Sequence, residues 1–262
     1  MKKIKFSKYH GAGNDFVIID DREGNISLTA SDIARICHRR FGVGADGLML
    51  LQKSNRADFR MLYYNSDGHT ASMCGNGARC ITAFALRLGI IGTETCFEAG
   101  DDMHTARIME FGMKHCVVSV KMNIVEKVRP CLDGFFVDTG VPHYVCQVSD
   151  IENIDVFSAG RRLRFDPAFG SEGANVDFIE FRNWKLFVRT YERGVEDETL
   201  SCGTGVTAAA LVWNTLNGNK LNSVPVHTLG GDFVVLTPKE KGGGNLVFLQ
   251  GPTEWVFDGE II

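Results

Sequence analysis

The sequence carries one short motif twice, as CGNGARC at residues 74–80 and as CGTG at residues 202–205. The two cysteines lie 128 residues apart (202 − 74 = 128). With that offset held fixed and no gaps, FGVGADG at residues 41–47 aligns with FGSEGAN at residues 169–175. Chance similarities would need a different offset for each pair of segments. The agreement therefore predicts two copies of one structural unit.

A further pair of segments, AGNDFV at 12–17 and GVPHYV at 140–145, keeps the same offset. We therefore expect residues 1–121 and 122–262 to form the two halves, each with one of the motif cysteines. The last ~12 residues are expected to pack either on their own half or back on the first.

The residue pattern within each half predicts strands around a buried helix. Short segments rich in β-branched and aromatic residues, such as 16–20 and 185–192, are typical of strands. Segments 75–89 and 203–218 follow the cysteines, are apolar on nearly every face and end in glycine, which is typical of buried helices. A further helix is predicted in SDIARICHRRF, 31–41, with its first serine as the N-cap. The predicted class is α+β, with two pseudo-symmetric halves, each a curved, barrel-like, mainly antiparallel sheet around a central helix.

Composition excludes several functional classes. The chain has 262 residues, of which 44% are apolar and 23% charged, as in globular proteins. Its net charge is −4 and its basic residues are scattered, so no nucleic-acid partner is expected. No apolar segment approaches the roughly 20 residues that span a bilayer, and the basic amino end is not followed by a signal-like apolar run. We expect no membrane association and a cytoplasmic location.

The eight cysteines contain no Cys-x-x-Cys pair, which argues against a structural metal site or a redox motif. Cys80 follows Cys74 by six residues, so on a helix it points away from Cys74 and is expected in the core. Five others are interpreted as small buried hydrophobic residues: Cys37, Cys96, Cys116, Cys131 and Cys146.

Cys74 and Cys202 both precede a predicted helix. The first turn of a helix has unpaired backbone N–H groups and a partial positive charge, so it stabilises an anion such as a carboxylate. The same field is expected to lower the pKa of a cysteine placed there. Glycines that follow each cysteine leave the backbone open to a ligand: Gly75, Gly77, Gly203 and Gly205.

If the two halves place these thiols across a cleft, the pair suits the inversion of a stereogenic carbon. A thiolate removes the proton on one face, a thiol returns one on the other, and the helix ends stabilise the charge that develops. The sequence has no dinucleotide-binding fingerprint and no lysine in a pyridoxal phosphate context, so we expect no cofactor and no metal. For each cysteine the alternative is a buried structural role, and His143 is open to either interpretation.

The segments HGAGNDF (10–16), MCGNGARC (73–80), GANVDF (173–178) and YERGVEDETLSCGTG (191–205), with YNSDG between the first two, resemble the diaminopimelate epimerase family over essentially the whole chain. The resemblance implies that family's two-domain fold and a homodimer without pyridoxal phosphate. It also implies conversion of LL-2,6-diaminopimelate to the meso form, for lysine and peptidoglycan synthesis.

The resemblance also implies roles for individual residues. Cys74 and Cys202 would be the acid and base, with His143 and Glu192 tuning the thiols. Backbone amides of four residues would bind the reacting carboxylate: Gly75, Asn76, Gly203 and Thr204. Five side chains would bind the distal end of the substrate: Asn14, Asn65, Asn175, Glu192 and Arg193. Arg193 can pair with a carboxylate through two parallel hydrogen bonds.

Two positions depart from the family pattern. Gly47 stands where the family commonly has glutamine, and Val141 stands where it commonly has asparagine. These two departures therefore affect the contacts that the resemblance implies for the distal end of the substrate.

Three other functions would each explain part of this pattern. A proline or hydroxyproline racemase would keep both thiols but should not need Arg193 for a distant charged group. A binding protein without catalysis would not need both cysteines. A thiol protease using Cys74 and His143 would leave Cys202 unexplained.

Overall fold

The computed structural model describes residues 3–71, 74–100, 102–238 and 246–262. The chain divides into two compact units, one of residues 1–120 with 251–262 and the other of residues 121–250. The sequence predicted a boundary between the two halves after residue 121, and it did not decide on which half the last ~12 residues pack.

The first unit is an eight-stranded closed barrel. Its strands are hydrogen-bonded in the order β1-β2-β3-β4-β5-β6-β7-β16, and β16 pairs back onto β1. The pairs β2–β3 and β4–β5 are parallel, and β1–β2 and β3–β4 are antiparallel. The elements are β1 Ile4–Gly11, β2 Asn14–Asp20, α1 Ala30–Cys37, β3 Gly47–Gln52, β4 Phe59–Asn65, α2 Gly75–Arg87, β5 Glu94–Ala99, β6 Asp102–Phe111, β7 His115–Lys121 and β16 Phe248–Ile261.

The second unit repeats this order of strands. Its path runs β8-β9-β10-β11-β12-β14-β15 and continues into the first residues of β16, with β13 paired to β12. The pairs β10–β11 and β12–β14 are parallel, as are the corresponding pairs of the first unit. The elements are β8 Glu126–Cys131, β9 Gly134–Asp138, β10 Pro142–Gln147, α3 Val156–Arg164, a 3₁₀ turn Pro167–Phe169, β11 Asn175–Arg182, β12 Lys185–Glu192, β13 Asp197–Thr199, α4 Gly203–Leu216, β14 Ser223–Thr228 and β15 Gly231–Leu236.

Each unit buries the helix that follows its motif cysteine. In α2 every residue from Gly75 to Ala85 is buried, and its apolar side chains pack with those of the barrel strands in one core cluster. In α4 most residues from Gly203 to Asn214 are buried as well. This confirms the predicted α+β class with a central helix in each half. Apolar residues on every face of these helices are needed because sheet surrounds them.

Helix α1 packs on part of the outer face of the first unit, mainly against β2 and β3. Val17 and Ile19 of β2 pack with α1, while Phe16 and Ile18 of the same strand face α2. Such alternation is expected for a strand with a hydrophobic layer on both sides. β2 is therefore buried on both faces, which holds its first residue, Asn14, in a fixed position.

The predicted start of α1 was wrong. Thr29, rather than Ser31, is the N-cap, because Thr29 and Asp32 form a reciprocal capping box. Ser31 lies in the first turn, and the helix ends at Cys37 instead of continuing to Phe41.

Candidate active site

Cys74 is the N-cap residue of α2 and is partly buried. Its carbonyl accepts the first hydrogen bond of the helix from Ala78 N, at 2.7 Å. Its Sγ lies 3.7 Å from Asn14 Oδ1, within hydrogen-bonding range for sulfur. The thiol therefore sits at the positive end of a buried helix, in contact with the first residue of β2.

Asn14 and Asn76 are in contact next to this thiol. Asn76 Nδ2 lies 3.3 Å from Asn14 Oδ1, and Arg79 Nη2 donates to Asn76 Oδ1 at 2.7 Å. At its other end, Asn14 Nδ2 donates to Asp46 Oδ2 at 2.7 Å. Three residues predicted to be functional, Asn14, Cys74 and Asn76, are thus brought together within the first unit.

Cys202 occupies the matching position, the N-cap of α4, and its carbonyl accepts from Val206 N at 2.8 Å. The residue is only 7% exposed. Its Sγ lies 3.2 Å from Thr204 Oγ1, and the Thr204 carbonyl accepts from Thr139 Oγ1 at 3.1 Å. Both cysteines therefore cap the buried helix of their own unit.

The expected lowering of the thiol pKa does not hold for Cys202. Burial raises the pKa of this thiol well above 9.0, and the negative charges of Glu192 and Asp177 raise it further. Hydrogen bonds from Thr204 and from the Gly205 backbone act in the opposite direction but are outweighed. Desolvation disfavours a thiolate more than one helix terminus favours it. This environment favours the thiol form of Cys202 over its thiolate.

A buried polar group lies close to α4. His143 on β10 places Nδ1 2.7 Å from Asp177 Oδ2, and Thr190 Oγ1 donates to Asp177 Oδ1 at 2.7 Å. Since an ionised carboxylate only accepts hydrogen bonds, this contact requires a proton on Nδ1 of His143. The other ring nitrogen, Nε2, lies 3.3 Å from Asn175 Nδ2. His143 is thereby linked to a residue predicted to bind substrate.

Asn175 begins β11 and is 3% exposed. Its Nδ2 also lies 3.3 Å from the Pro142 carbonyl, and its Oδ1 accepts from the Arg193 backbone N–H at 2.7 Å. The side chain of Asn175 therefore fixes the backbone at Arg193, directly after β12. Glu192, the last residue of β12, accepts from Thr199 Oγ1 at 2.9 Å.

Asn65 ends β4 and is exposed, and its backbone is paired with Gly47. A Cβ atom on residue 47 would lie 2.5 Å from Tyr63 Cε2 and 2.6 Å from the Tyr64 carbonyl oxygen. Only glycine fits there without a shift of the main chain. Tyr63 thus occupies the space into which a larger residue at position 47 would project.

Val141 is the second position that departs from the family pattern, and its carbonyl accepts a hydrogen bond from Thr139 N at 3.2 Å.

Sequence reasoning missed Asp46 and Asp177, each of which contacts a predicted residue. A signal for Asp177 was present, because it follows Asn175 by two residues and so lies on the same face of β11. Asp46 precedes β3 in a loop, where spacing carries no such information.

The remaining cysteine predictions had mixed outcomes. Cys37, Cys80 and Cys116 are buried, as expected, whereas three others are only partly buried: Cys96, Cys131 and Cys146. None of the eight cysteines forms a disulfide.

Within residues 3–71, 74–100, 102–238 and 246–262, no cluster of three or more His, Cys, Asp or Glu side chains is arranged to hold a metal ion. In those same ranges, no helix has the length and apolar character needed to cross a membrane.

Comparison with known proteins gives one family. The sequence model described as diaminopimelate epimerase matches residues 6–100 and 135–256. The chain is 42% identical to the diaminopimelate epimerase of Flavobacterium psychrophilum, covering 97% of this chain and 99% of that one. It is 39% identical to the enzyme of the same name from Aquifex aeolicus, covering 98% of each chain.

Two solved structures are similar in fold. A phenazine biosynthesis protein of the PhzF family from Bacillus anthracis aligns with a TM-score of 0.77, 15% identity and full coverage of both chains. A hydroxyproline epimerase from Agrobacterium vitis aligns with a TM-score of 0.70 and 16% identity, covering 99% of this chain and 92% of that one. At these identities the likeness concerns the fold alone.

Proposed function

The chain belongs to the diaminopimelate epimerase family, and from that premise we propose that it converts LL-2,6-diaminopimelate to meso-diaminopimelate by inverting one α-carbon. The enzyme is an isomerase. At the level of residues, the proposal rests on the matched placement of Cys74 and Cys202. Each is the N-cap of the buried helix of its unit.

In the proposed reaction one of these cysteines, as thiolate, removes the α-proton, and the electron pair of the C–H bond passes to the adjacent carboxylate. The other cysteine, as thiol, gives its proton to the opposite face of the same carbon. The enzyme ends with the two protonation states exchanged, so atoms and charge balance. Burial favours the thiol form of Cys202, which suits it to the donating step.

We propose that the reacting carboxylate is bound by first-turn backbone amides: those of Gly75, Asn76, Gly203 and Thr204. Charge that develops on this group is stabilised by the positive ends of α2 and α4. Both helices are buried, so these dipoles act where water screens them little.

For the distal end of the substrate we propose Asn14, Asn65, Asn175, Glu192 and Arg193. The guanidinium of Arg193 matches a carboxylate, and Glu192 matches an ammonium group. Because the amide of Asn175 already bonds His143 and the Arg193 backbone, its contribution is mainly to hold Arg193 in place. Glu192 also acts on Cys202, as its charge raises the pKa of that thiol. His143 would act on the thiol through Asp177.

We further propose that the enzyme works without pyridoxal phosphate or a metal, as a cytoplasmic homodimer, with a small amino acid as its ligand and neither nucleic acid nor membrane as partner. Sedimentation equilibrium of the purified chain tests the dimer. Retention of activity after dialysis against a chelator and hydroxylamine tests the absence of a cofactor.

The central experiment is incubation with LL-diaminopimelate in deuterated water, followed by NMR and chiral chromatography. Deuterium at the α-carbon together with the meso product is expected, and absence of α-deuterium contradicts the proposal. Exchange into proline or hydroxyproline instead would indicate a racemase for those amino acids. Cys74→Ala and Cys202→Ala should each abolish inversion, and full activity in either variant contradicts the two-thiol mechanism.

A further inference from the structure

A line of hydrogen bonds in the first unit runs from a carboxylate to a guanidinium through two amides. Asp46 Oδ2 accepts from Asn14 Nδ2 at 2.7 Å, Asn14 Oδ1 accepts from Asn76 Nδ2 at 3.3 Å, and Asn76 Oδ1 accepts from Arg79 Nη2 at 2.7 Å. Cys74 Sγ joins this line at Asn14 Oδ1, at 3.7 Å.

The charges at the two ends decide how both amides are oriented. Ionised Asp46 can only accept, so the nitrogen end of Asn14 must face it. Arg79 can only donate, so the oxygen end of Asn76 must face it. Each amide is therefore fixed in one of its two possible orientations. Both sets of hydrogen bonds place the carbonyl oxygen of Asn14 next to Cys74.

Both ends of the line are themselves held in place. Asp46 also accepts from Arg39 Nη2 at 2.5 Å and from the Asp15 backbone N–H at 3.2 Å. Arg79, a residue of α2, is fully buried, and it donates a second hydrogen bond to the Gly75 carbonyl at 3.1 Å. A flip of either amide would place two donors or two acceptors against each other.

We infer that Asp46 is a positioning residue for Cys74, acting by holding the carbonyl oxygen of Asn14 against the thiol. This inference rests on the proposed role of Cys74 as an acid and base. A carbonyl oxygen accepts a hydrogen bond from S–H but repels a thiolate, so the arrangement favours the protonated form. Asn14 therefore acts on the reacting thiol itself, in addition to its proposed contact with substrate.

Several groups contribute to the environment of this thiol. Arg79 and Cys80 lie on its own helix and interact with it electrostatically, and Tyr63 of β4 packs against the same core cluster. Asp46 acts from the loop before β3, through Asn14. Asp46 and Arg79 both act through the orientation of an amide, but Arg79 is fully buried whereas Asp46 is partly exposed, so Asp46 is the one to change by mutation.

The test is alkylation of Cys74 by iodoacetamide across a pH series, followed by peptide mass spectrometry. In Asp46→Asn the residue can donate as well as accept, so it no longer fixes the orientation of Asn14, and only the longer 3.3 Å contact with Asn76 still holds the Asn14 carbonyl toward the sulfur. The pH midpoint for Cys74 should then fall by about one unit. Asp15→Asn is the matched control, since it removes one carboxylate from the same ion cluster but leaves the bond between Asn14 and Asp46.

Asn14→Ala completes the test. It removes the carbonyl directly, so it should lower the midpoint by itself, and adding Asp46→Asn to it should lower the midpoint no further than Asp15→Asn does alone. An equal midpoint in Asp46→Asn and Asp15→Asn, or an additive effect in the double variant, overturns the inference. If Asp46→Asn does not fold, an unchanged midpoint in Asn14→Ala overturns it instead. Alkylation needs no turnover, so failure here is distinguishable from failure of the proposed reaction.

Discussion

His143 and Asp177 form a fully buried pair, with Nδ1 of the imidazole 2.7 Å from Oδ2 of the carboxylate and both side chains 0% exposed. The pair joins two parallel neighbours, β10 and β11. Thr190 of β12 donates to the second carboxylate oxygen, so one acceptor group ties three adjacent strands together. The strands that carry Asn175 and Glu192 are therefore fixed relative to one another.

Asp177→Asn should lower the free energy of unfolding by about 1–3 kcal/mol, because an amide provides one acceptor oxygen where two buried donors need acceptors. Urea unfolding followed by circular dichroism measures the change. Thr190→Val is the control: it removes one donor and leaves the bond to His143, so its effect should be smaller. A loss in Asp177→Asn no larger than in Thr190→Val contradicts this account.

Glu192→Gln should make Cys202 react with iodoacetamide at lower pH. Burial and the charges of Glu192 and Asp177 all raise the pKa of this thiol, and the variant removes one of the charges while nearly keeping the side-chain shape. Peptide mass spectrometry across a pH series measures the midpoint. Thr199→Val removes the hydrogen bond to Glu192 but keeps its charge, so the midpoint should stay near that of the wild type. An unchanged midpoint in Glu192→Gln shows that its charge does not reach the sulfur.

The fixed offset of 128 residues predicts the starts of three pairs of elements. Asn14 and Pro142 begin β2 and β10, Gly47 and Asn175 begin β3 and β11, and Gly75 and Gly203 begin α2 and α4. Repetition was a strong signal because both copies must bury a helix inside a sheet.

The contacts of the site were harder to predict. Asp46 and Asp177 act on residues from other elements, and the sequence does not show which carboxylate meets which amide. The pKa of Cys202 depends on burial and on two such carboxylates, so the position at a helix end gave the wrong direction. Helix α3 was missed as well; its sequence, VFSAGRRLR, has few apolar residues and two exposed arginines, Arg161 and Arg162.

The glycines at equivalent positions of the two motifs should respond differently to alanine. A Cβ on Gly205 would lie 2.4 Å from Asp177 Oδ1, a group fixed by His143 and Thr190, whereas a Cβ on Gly77 would meet the flexible Met49 side chain at 3.2 Å. Gly205→Ala should therefore lower the free energy of unfolding by about 2 kcal/mol or more. Gly77→Ala should stay within about 1 kcal/mol of the wild type, since better helix propensity offsets the contact.

Denaturant unfolding of both variants is the measurement. Equal losses would contradict the role assigned to Asp177 as the neighbour of Gly205. The result also separates two reasons for glycine after a motif cysteine. At position 205 the absent side chain makes room for a carboxylate of the protein, whereas the sequence had suggested room for a ligand.

Asp15 should make the stability of the first unit depend on acid pH. Burial opposes its ionisation, but hydrogen bonds and charge from Arg39 and Lys8 outweigh burial and lower its pKa to about 2. Because the folded pKa lies below the unfolded value, this stabilisation is complete above about pH 4 and is lost as the pH falls through about 2. Its size is about 2 kcal/mol for this mostly buried carboxylate. The loss of unfolding free energy between about pH 5 and pH 2 should therefore be smaller by that amount in Asp15→Asn, as measured by urea titration. Asp20→Asn is the control: it breaks a more exposed ion pair with Arg22, so it should alter the loss of unfolding free energy far less. Equal pH dependence of unfolding in the wild type and in Asp15→Asn would show that the Lys8 and Arg39 contacts do not stabilise the fold.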